Sequence, residues 1–442
     1  SNIFYFCCIL IFEVYGLAIA IGGRWVETSF FFLVCLSQVC AGAFFWLEIR
    51  KYRETRLPEL IAMGLAIGVS FAALSQLIIR DLLGINLPIS PYLPIIVSAI
   101  LFSLKRNKRP RIQITNVSSM TLTWLLLPAP LAMAHYVPIL LFSFVAPFAC
   151  ISFLYYKNLM RRNIDTSLGF ESFAFFITVL CALCVITRIC SAVMYDSLSA
   201  ITSIDNDILF DYAHAKGFTL WGINENINVV GQSFSYYKFT YLWLGPLIIS
   251  TPLSSPLLLT TLLPLLFYCF IGLGLWAVTK QLSQVDNVAN FTLVIFFFAM
   301  TSPEPYVIQT RPLYLIANFS LICAFIVVSK AWGRQRSLFA VHALVAFILA
   351  SIRLQFALIF IAGLIFSEIY SSIRNREITN KSIVVLTSMS LGTLISITVF
   401  YSSTDSANFE IGRQPFLKLL GTTVDAVLLK SILPLILLII VK

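Results

Sequence analysis

The chain has 442 residues, of which 59% are hydrophobic, 14% aromatic and 11% charged, with a net charge of +10 and a mean hydropathy of +0.91. A soluble domain carries about 25% charged residues, so the polar surface here is too small to cover a water-soluble fold. The basic excess sits in short runs between apolar segments, which is the positive-inside pattern of a polytopic membrane protein and excludes a nucleic-acid binder.

A membrane-spanning helix needs about 20 apolar residues. Apolar runs predict spans near 2–22, 28–48, 58–79, 89–104, 118–134, 136–156 and 170–194. After a polar interval come 241–253, 257–279, 288–303, 312–331, 337–352, 354–372, 382–402 and 424–441. The segment 241–253 is short and interrupted by Pro246, Pro252 and Pro256 at and beyond its end. The expected fold is all-α: a polytopic transmembrane bundle of about 13–15 spans, with a long extracytoplasmic loop that contains an interfacial helix.

Lysine and arginine placement gives the expected topology. Arg50, Lys51, Arg53 and Arg56 follow the second span, and Lys105, Arg106, Lys108, Arg109 and Arg111 follow the fourth. Lys157, Arg161 and Arg162 follow the sixth, while Lys330, Arg334 and Arg336, then Arg374, Arg376 and Lys381, separate later spans. With all of these cytoplasmic the N-terminus is cytoplasmic too, and 241–253 becomes re-entrant or part of the outer loop. The loops 22–28, 80–88, 195–240, 303–311 and 402–423 then lie outside. The basic linker near 157–163 divides the chain into an N-terminal transmembrane module, 1–165, of about six spans, and a second module, 166–442. No signal-peptide cleavage pattern is visible. A start at Ser1 and an end at Lys442 are compatible with a trimmed or incomplete form of a longer protein.

Ten cysteines and three histidines are present. Cys181 and Cys184 have redox-motif spacing, but they fall mid-span, where cysteine is a small buried hydrophobe. The histidines are too scattered for a zinc site. No Walker loop, dinucleotide fingerprint or nucleophile elbow occurs, so ATP hydrolysis and hydride transfer are not expected.

The polar interval Tyr195–Gly245 carries Asp196, Asp205, Asp207, Asp211 and Glu225, the densest acidic cluster in the chain. Asp205 and Asp207, two residues apart, suit a divalent cation such as Mg or Mn, or a general base with a charge-setting partner. The alternative is an acidic cap at the start of an interfacial helix. Were 207–216 helical, Asp207, Asp211 and Ala215 would share one face. His214 and Lys216 ride on the same helix; a lone histidine is more often a hydrogen-bonded surface residue than a base. Lys238, where the chain turns apolar again, either contacts a phosphate or snorkels. Arg188, in the outer third of its span, pairs either with a loop aspartate or with a lipid phosphate. Arg311 and Arg353 stand on the acid-biased side, where anion binding is the simplest reason for them.

The order of these features resembles the GT-C superfamily of integral-membrane glycosyltransferases. A span at 170–194 leads into an acidic loop with Asp205 and Asp207, then a helix from Ile208, then an aromatic re-entry from Tyr236 to Gly245. The run Pro256–Leu282 is similar to the helix that follows this loop in bacterial members, and Arg353 precedes a span containing Gly363. About six spans precede the acidic loop, and the acids read Asp-Asn-Asp rather than an adjacent pair. The resemblance covers roughly 170–375. It implies transfer of a sugar from a polyprenyl-phosphate-linked donor to a glycan, lipid or protein acceptor, at the outer face of a bacterial plasma membrane. Asp205 or Asp207 would act as base or hold the cation, and Arg353, with Arg311 or Arg188, would bind the donor phosphate. Asp211, His214 and Lys238 would line the substrate site. Membrane lipids and other membrane proteins are the expected partners. The competing readings are a lipid or glycan transporter or flippase, a non-catalytic subunit of a membrane complex, and a polysaccharide polymerase or ligase that depends on outer-loop arginines.

Overall fold

A computed structural model describes residues 25–50, 55–85, 89–104, 206–223, 238–250, 256–285, 288–289, 292, 312–331, 335–375 and 380–400. Among these residues the chain is helical, with no β-sheet. The helices are α1 (Trp25–Ile49), α2 (Leu57–Gln76, continued by a π-turn at Leu77–Leu82), α3 (Leu93–Leu104), α4 (Asn206–Trp221) and α5 (Phe239–Ser250). They continue with α6 (Pro256–Ser283), α7 (Pro312–Ala331), α8 (Gln335–Ile352), α9 (Leu354–Asn375) and α10 (Asn380–Phe400). Three stretches among the described residues, Ser29–Ile49, Leu57–Leu82 and Ile383–Phe400, are long and apolar enough to cross a membrane. α5 is continuous through Pro246. Its twelve residues span about 18 Å, less than the roughly 30 Å of a hydrocarbon core. The expected spans near 118–134, 136–156, 170–194 and 424–441, and the linker near 157–163, lie outside the described residues.

The start of α2 shows how the sequence places an element. Pro58 sits in the first turn, where its missing N–H costs nothing, and Glu59 meets the positive end of the helix dipole. Glu59 is buried and accepts a hydrogen bond from Trp46 Nε1 at 3.1 Å, and Arg50 Nε lies 3.9 Å from it. These contacts close the α1–α2 hairpin at one end.

Further along the hairpin the two backbones touch. A side chain at Gly64 would meet the Val39 carbonyl at 2.5 Å, and one at Gly68 would strike the Gln38 backbone. Gly64 and Gly68 form a small-xxx-small face, which lets helices pack where lipid removes the hydrophobic drive to associate. Gln38, fully buried at this level, donates from Nε2 to Pro91 O at 3.1 Å and accepts from Trp243 Nε1 at 3.1 Å. One amide therefore ties α1 to the approach to α3 and to α5.

α2 is the hub of the fold. α1, α3, α5, α6 and α7 all pack against it, in one apolar core that draws residues from 31 to 400. A second core joins α7, α8, α9 and α10. Large apolar side chains face outward on the bundle, including Leu33, Leu358, Phe366, Tyr370 and Ile373. A lipid environment suits such a surface.

Candidate functional site

α4 carries the acidic stretch, and its acid-bearing face turns toward the protein. Asp211, His214, Ala215 and Phe218 are buried, whereas Leu209, Leu220 and Trp221 are exposed. This reverses the arrangement of a soluble amphipathic helix. The reason lies in α5, which offers a matching surface. Tyr241 Oη donates to Asp211 Oδ1 at 2.5 Å. A side chain at Gly245 would run into the Ala215 carbonyl and the Thr219 hydroxyl, so the glycine permits the close approach that the Tyr241–Asp211 contact needs.

His214 stands in the same seam. Its Nδ1 lies 2.8 Å from Phe210 O, and its ring packs between Phe210, Phe218 and Tyr241 with centroid separations of 3.8, 5.9 and 6.0 Å. Burial pushes the imidazole below the ordinary histidine range, against the opposing pull of the Phe210 carbonyl and of Asp211. On the other face of α4, Lys216 is exposed and borders an open groove of about 380 Å³ with Tyr212, Gly217 and Trp221.

Lys238, the residue before α5, is fully buried. Burial pushes its ammonium down to about 8, and the Asp81 carboxylate pulls the other way. Asp81 lies in the π-turn that ends α2. Its Oδ1 accepts from Ile223 N at 3.2 Å, and the neighbouring Arg80 Nη2 donates to Leu220 O at 2.9 Å. Between those two contacts Gly222 adopts φ +103°, a backbone state that favours glycine, and a side chain there would come within 3.2 Å of Asp81 Oδ1. The end of α2 and the end of α4 therefore meet around Asp81.

Arg353 occupies the break between α8 and α9. Its Nε donates to Gln355 Oε1 at 2.9 Å, and its guanidinium stands 5.6 Å from the Phe356 ring centre. Nearby, Ser351 Oγ is 2.8 Å from Ser396 Oγ, and Phe400 packs on both Phe347 and Phe239. Arg353, the end of α10 and Lys238 thus lie at one end of the bundle. α5 and α7 each pack against both α4 and α8.

Of the residues singled out from the sequence, Asp211, His214 and Lys238 are brought together by α4 and α5, and Arg353 shares their end of the bundle. Asp207 lies in the first turn of α4, with its side chain outside the described residues. Arg188, Asp205 and Arg311 also lie outside them. No group of three or more histidine, cysteine, aspartate or glutamate side chains suited to a metal occurs among the described residues. Sequence reasoning passed over Arg80 and Asp81 because they look like the edge of a short loop. The signal was available: under the expected topology Arg80, at the edge of the loop 80–88, falls on the acid-biased side, like Arg311 and Arg353. No protein-family model, curated protein or solved structure matches this chain.

Chemically, this end of the bundle combines a buried carboxylate held by a phenol, a buried lysine, and an arginine at a helix break. Such groups are costly inside a membrane protein, which makes this end of the bundle the candidate site.

Proposed function

We propose that this chain is a membrane glycosyltransferase that moves a sugar from a polyprenyl-phosphate-linked donor to an acceptor at the extracytoplasmic face of a bacterial plasma membrane. In this reading the bundle has about 13–15 spans, and the loop 195–240, with α4, lies outside the cytoplasm. Asp205 or Asp207 takes the proton of the acceptor hydroxyl, directly or beside a divalent cation. Arg353 and Lys238 meet the donor phosphate, with Arg311 and Arg188 as further basic groups.

The observation that carries the proposal is the gathering of Asp211, Lys238 and Arg353 at one end of an otherwise apolar bundle. A lipid-linked sugar needs a polar chamber at the edge of the membrane and apolar helices beside it for the lipid. Ionisable groups of the α1–α2 hairpin stand at helix ends, with Arg50 and Glu59 at one end and Arg80 and Asp81 at the other. Transport through the bilayer calls instead for charges near the midplane in broken helices.

The test is sugar transfer from a radiolabelled polyprenyl-phosphate sugar in membranes containing the full chain. Replacing both Asp205 and Asp207 by Ala is expected to lower transfer by at least about a hundredfold, the scale of one general base, with folded yield unchanged. Transfer that survives this double substitution in folded protein rejects the assignment.

A further inference from the structure

The outer face of α4 has no part in the reading above. It carries the open groove of about 380 Å³ beside Lys216, lined by Tyr212, Gly217, Leu220 and Trp221. Trp221 is 60% exposed and Leu220 is exposed beside it. Lys216, one turn before Leu220, is exposed too. A helix facing bulk water turns its apolar stripe inward; α4 buries Asp211 and shows tryptophan and leucine outside.

The end of α2 fixes the depth at which this groove lies. Leu57–Leu82 is a candidate span of 26 residues, about 39 Å at 1.5 Å per residue, close to the roughly 40–45 Å of a bilayer with its headgroups. Its last turn, with Arg80 and Asp81, therefore reaches the headgroup layer. Arg80 Nη2 donates to Leu220 O at 2.9 Å, and Asp81 Oδ1 accepts from Ile223 N at 3.2 Å. These contacts hold the end of α4, and the groove with it, at that level. The end of α2 also exposes Ile78, Leu82 and Leu83, so both elements that meet there turn apolar side chains outward. Tryptophan and tyrosine favour this layer, where an apolar ring and a polar tip are both satisfied. A lysine there keeps its stem among apolar groups and its ammonium among phosphates. Arg80 adds a second cation at the Leu220 rim of the groove.

We infer that the outer groove of α4 is a docking surface for the membrane itself: it seats the headgroup of an anionic phospholipid against Lys216, with Arg80 as the second cation and Trp221 and Leu220 at the acyl boundary. Charge complementarity selects this occupant. A zwitterionic headgroup brings its own ammonium toward the two cations, whereas an anionic one brings net negative charge. Nearby acids are engaged elsewhere: Asp211 faces Tyr241 in the α5 seam, and Asp81 Oδ1 holds the Ile223 N–H. The docking goes beyond the glycosyltransferase reading and serves a membrane protein of any activity.

The test uses the full chain in lipid nanodiscs. Trp221 is one of seven tryptophans, so its fluorescence is taken as the difference between wild type and Trp221→Phe. Brominated phosphatidylcholine is expected to quench that signal, and an unquenched signal overturns the inference. As phosphatidylglycerol replaces phosphatidylcholine, the Trp221 signal is expected to respond and saturate. Lys216→Ala is expected to need about fivefold more phosphatidylglycerol for half the response, the scale of one lysine at an anionic surface, and Lys216→Arg to restore the wild-type value. Lys216 is exposed, so these variants probe the surface without disturbing the core. A signal indifferent to phosphatidylglycerol, or an unchanged half-point in Lys216→Ala, overturns the inference. Two further outcomes also overturn it. Inorganic phosphate that abolishes the response, where sodium chloride of equal ionic strength does not, marks a free-anion site. A response to polyprenyl phosphate at far lower mole fraction than to phosphatidylglycerol marks a donor-lipid site.

Discussion

The α1–α2 hairpin and the α4–α5 pair are built on the same device and hold different things. In each, a glycine lets one helix backbone press on the other: Gly64 and Gly68 in the first, Gly245 in the second. In the hairpin the polar group at that level is Gln38, a neutral amide whose oxygen and nitrogen are both satisfied by α5 and the approach to α3. In the α4–α5 pair it is Asp211, an ionisable group gripped by a tyrosine, with a histidine packed beside it. A neutral amide serves to fix register at modest cost. A carboxylate and an imidazole in the same kind of seam carry a desolvation penalty that packing alone does not require. Close approach is thus a general feature of this bundle, and the ionisable groups mark where it does something more.

The comparison can be broken most forcefully at the glycines. Gly245→Val drives a branched side chain into the Ala215 carbonyl, which cannot move aside, and a loss of about 3 kcal/mol or more is expected. Gly64→Ala, which meets the Val39 carbonyl at 2.5 Å, is expected to cost about 1–3 kcal/mol. Thermal unfolding in detergent ranks the two, and an unchanged midpoint for Gly245→Val means that α4 and α5 do not pack as described.

A double-mutant cycle sharpens the contrast between the polar groups. Coupling between Asp211→Ala and Tyr241→Phe is expected at about 1.5–3 kcal/mol, the range for hydrogen bonds to charged groups. Gln38→Ala with Trp243→Phe is expected to give about 0.5–1.5 kcal/mol. Equal couplings would erase the distinction drawn here.

pH dependence separates the regions next. The Lys238 ammonium titrates near 8 when folded and near 10.5 when unfolded, so the unfolded chain binds the extra proton between those values. Stability is therefore expected to rise as pH climbs from about 8 toward 10.5, and Lys238→Met should flatten that rise. His214 has a lowered folded value, so its neutral form is the one that the fold holds. As pH falls below the ordinary histidine range the unfolded imidazole charges first and stability is lost; His214→Phe should soften that acid limb. Among the described residues, the α1–α2 hairpin contributes no histidine or lysine to either limb. The smallest effect belongs to Lys216, exposed on the far face of α4: Lys216→Ala is expected to change stability by less than about 0.5 kcal/mol.

Much of the helical framework is legible in the apolar runs. The expected segment 312–331 coincides with α7, 337–352 and 354–372 fall inside α8 and α9, and Arg353 stands at the junction between them. Hydropathy works here because lipid demands long uninterrupted apolar helices. The expected loop at 80–88 begins too early, since the helix continues in π form through Leu82. Two charged residues, Arg80 and Asp81, read as a loop edge because their partners are far away in sequence at Leu220 and Ile223. The acidic stretch was legible as a polar cluster by its composition, but not the direction in which Asp211 faces. Helical periodicity places Asp211 and Ala215 on one face and leaves open whether water or a neighbouring helix covers it.

The sequence by itself determined that this is a helical chain rich in membrane-grade segments, because apolar length and sparse charge leave no other fold that satisfies the backbone. It also determined that the polar groups concentrate around α4. Only the tertiary structure decided which of them meet. It buried Asp211 against Tyr241, packed His214 in the seam, and brought the end of α2 to the end of α4. These pairings depend on close approach at single glycines and on one π-turn. Hydropathy averages over a window of residues and is blind to both.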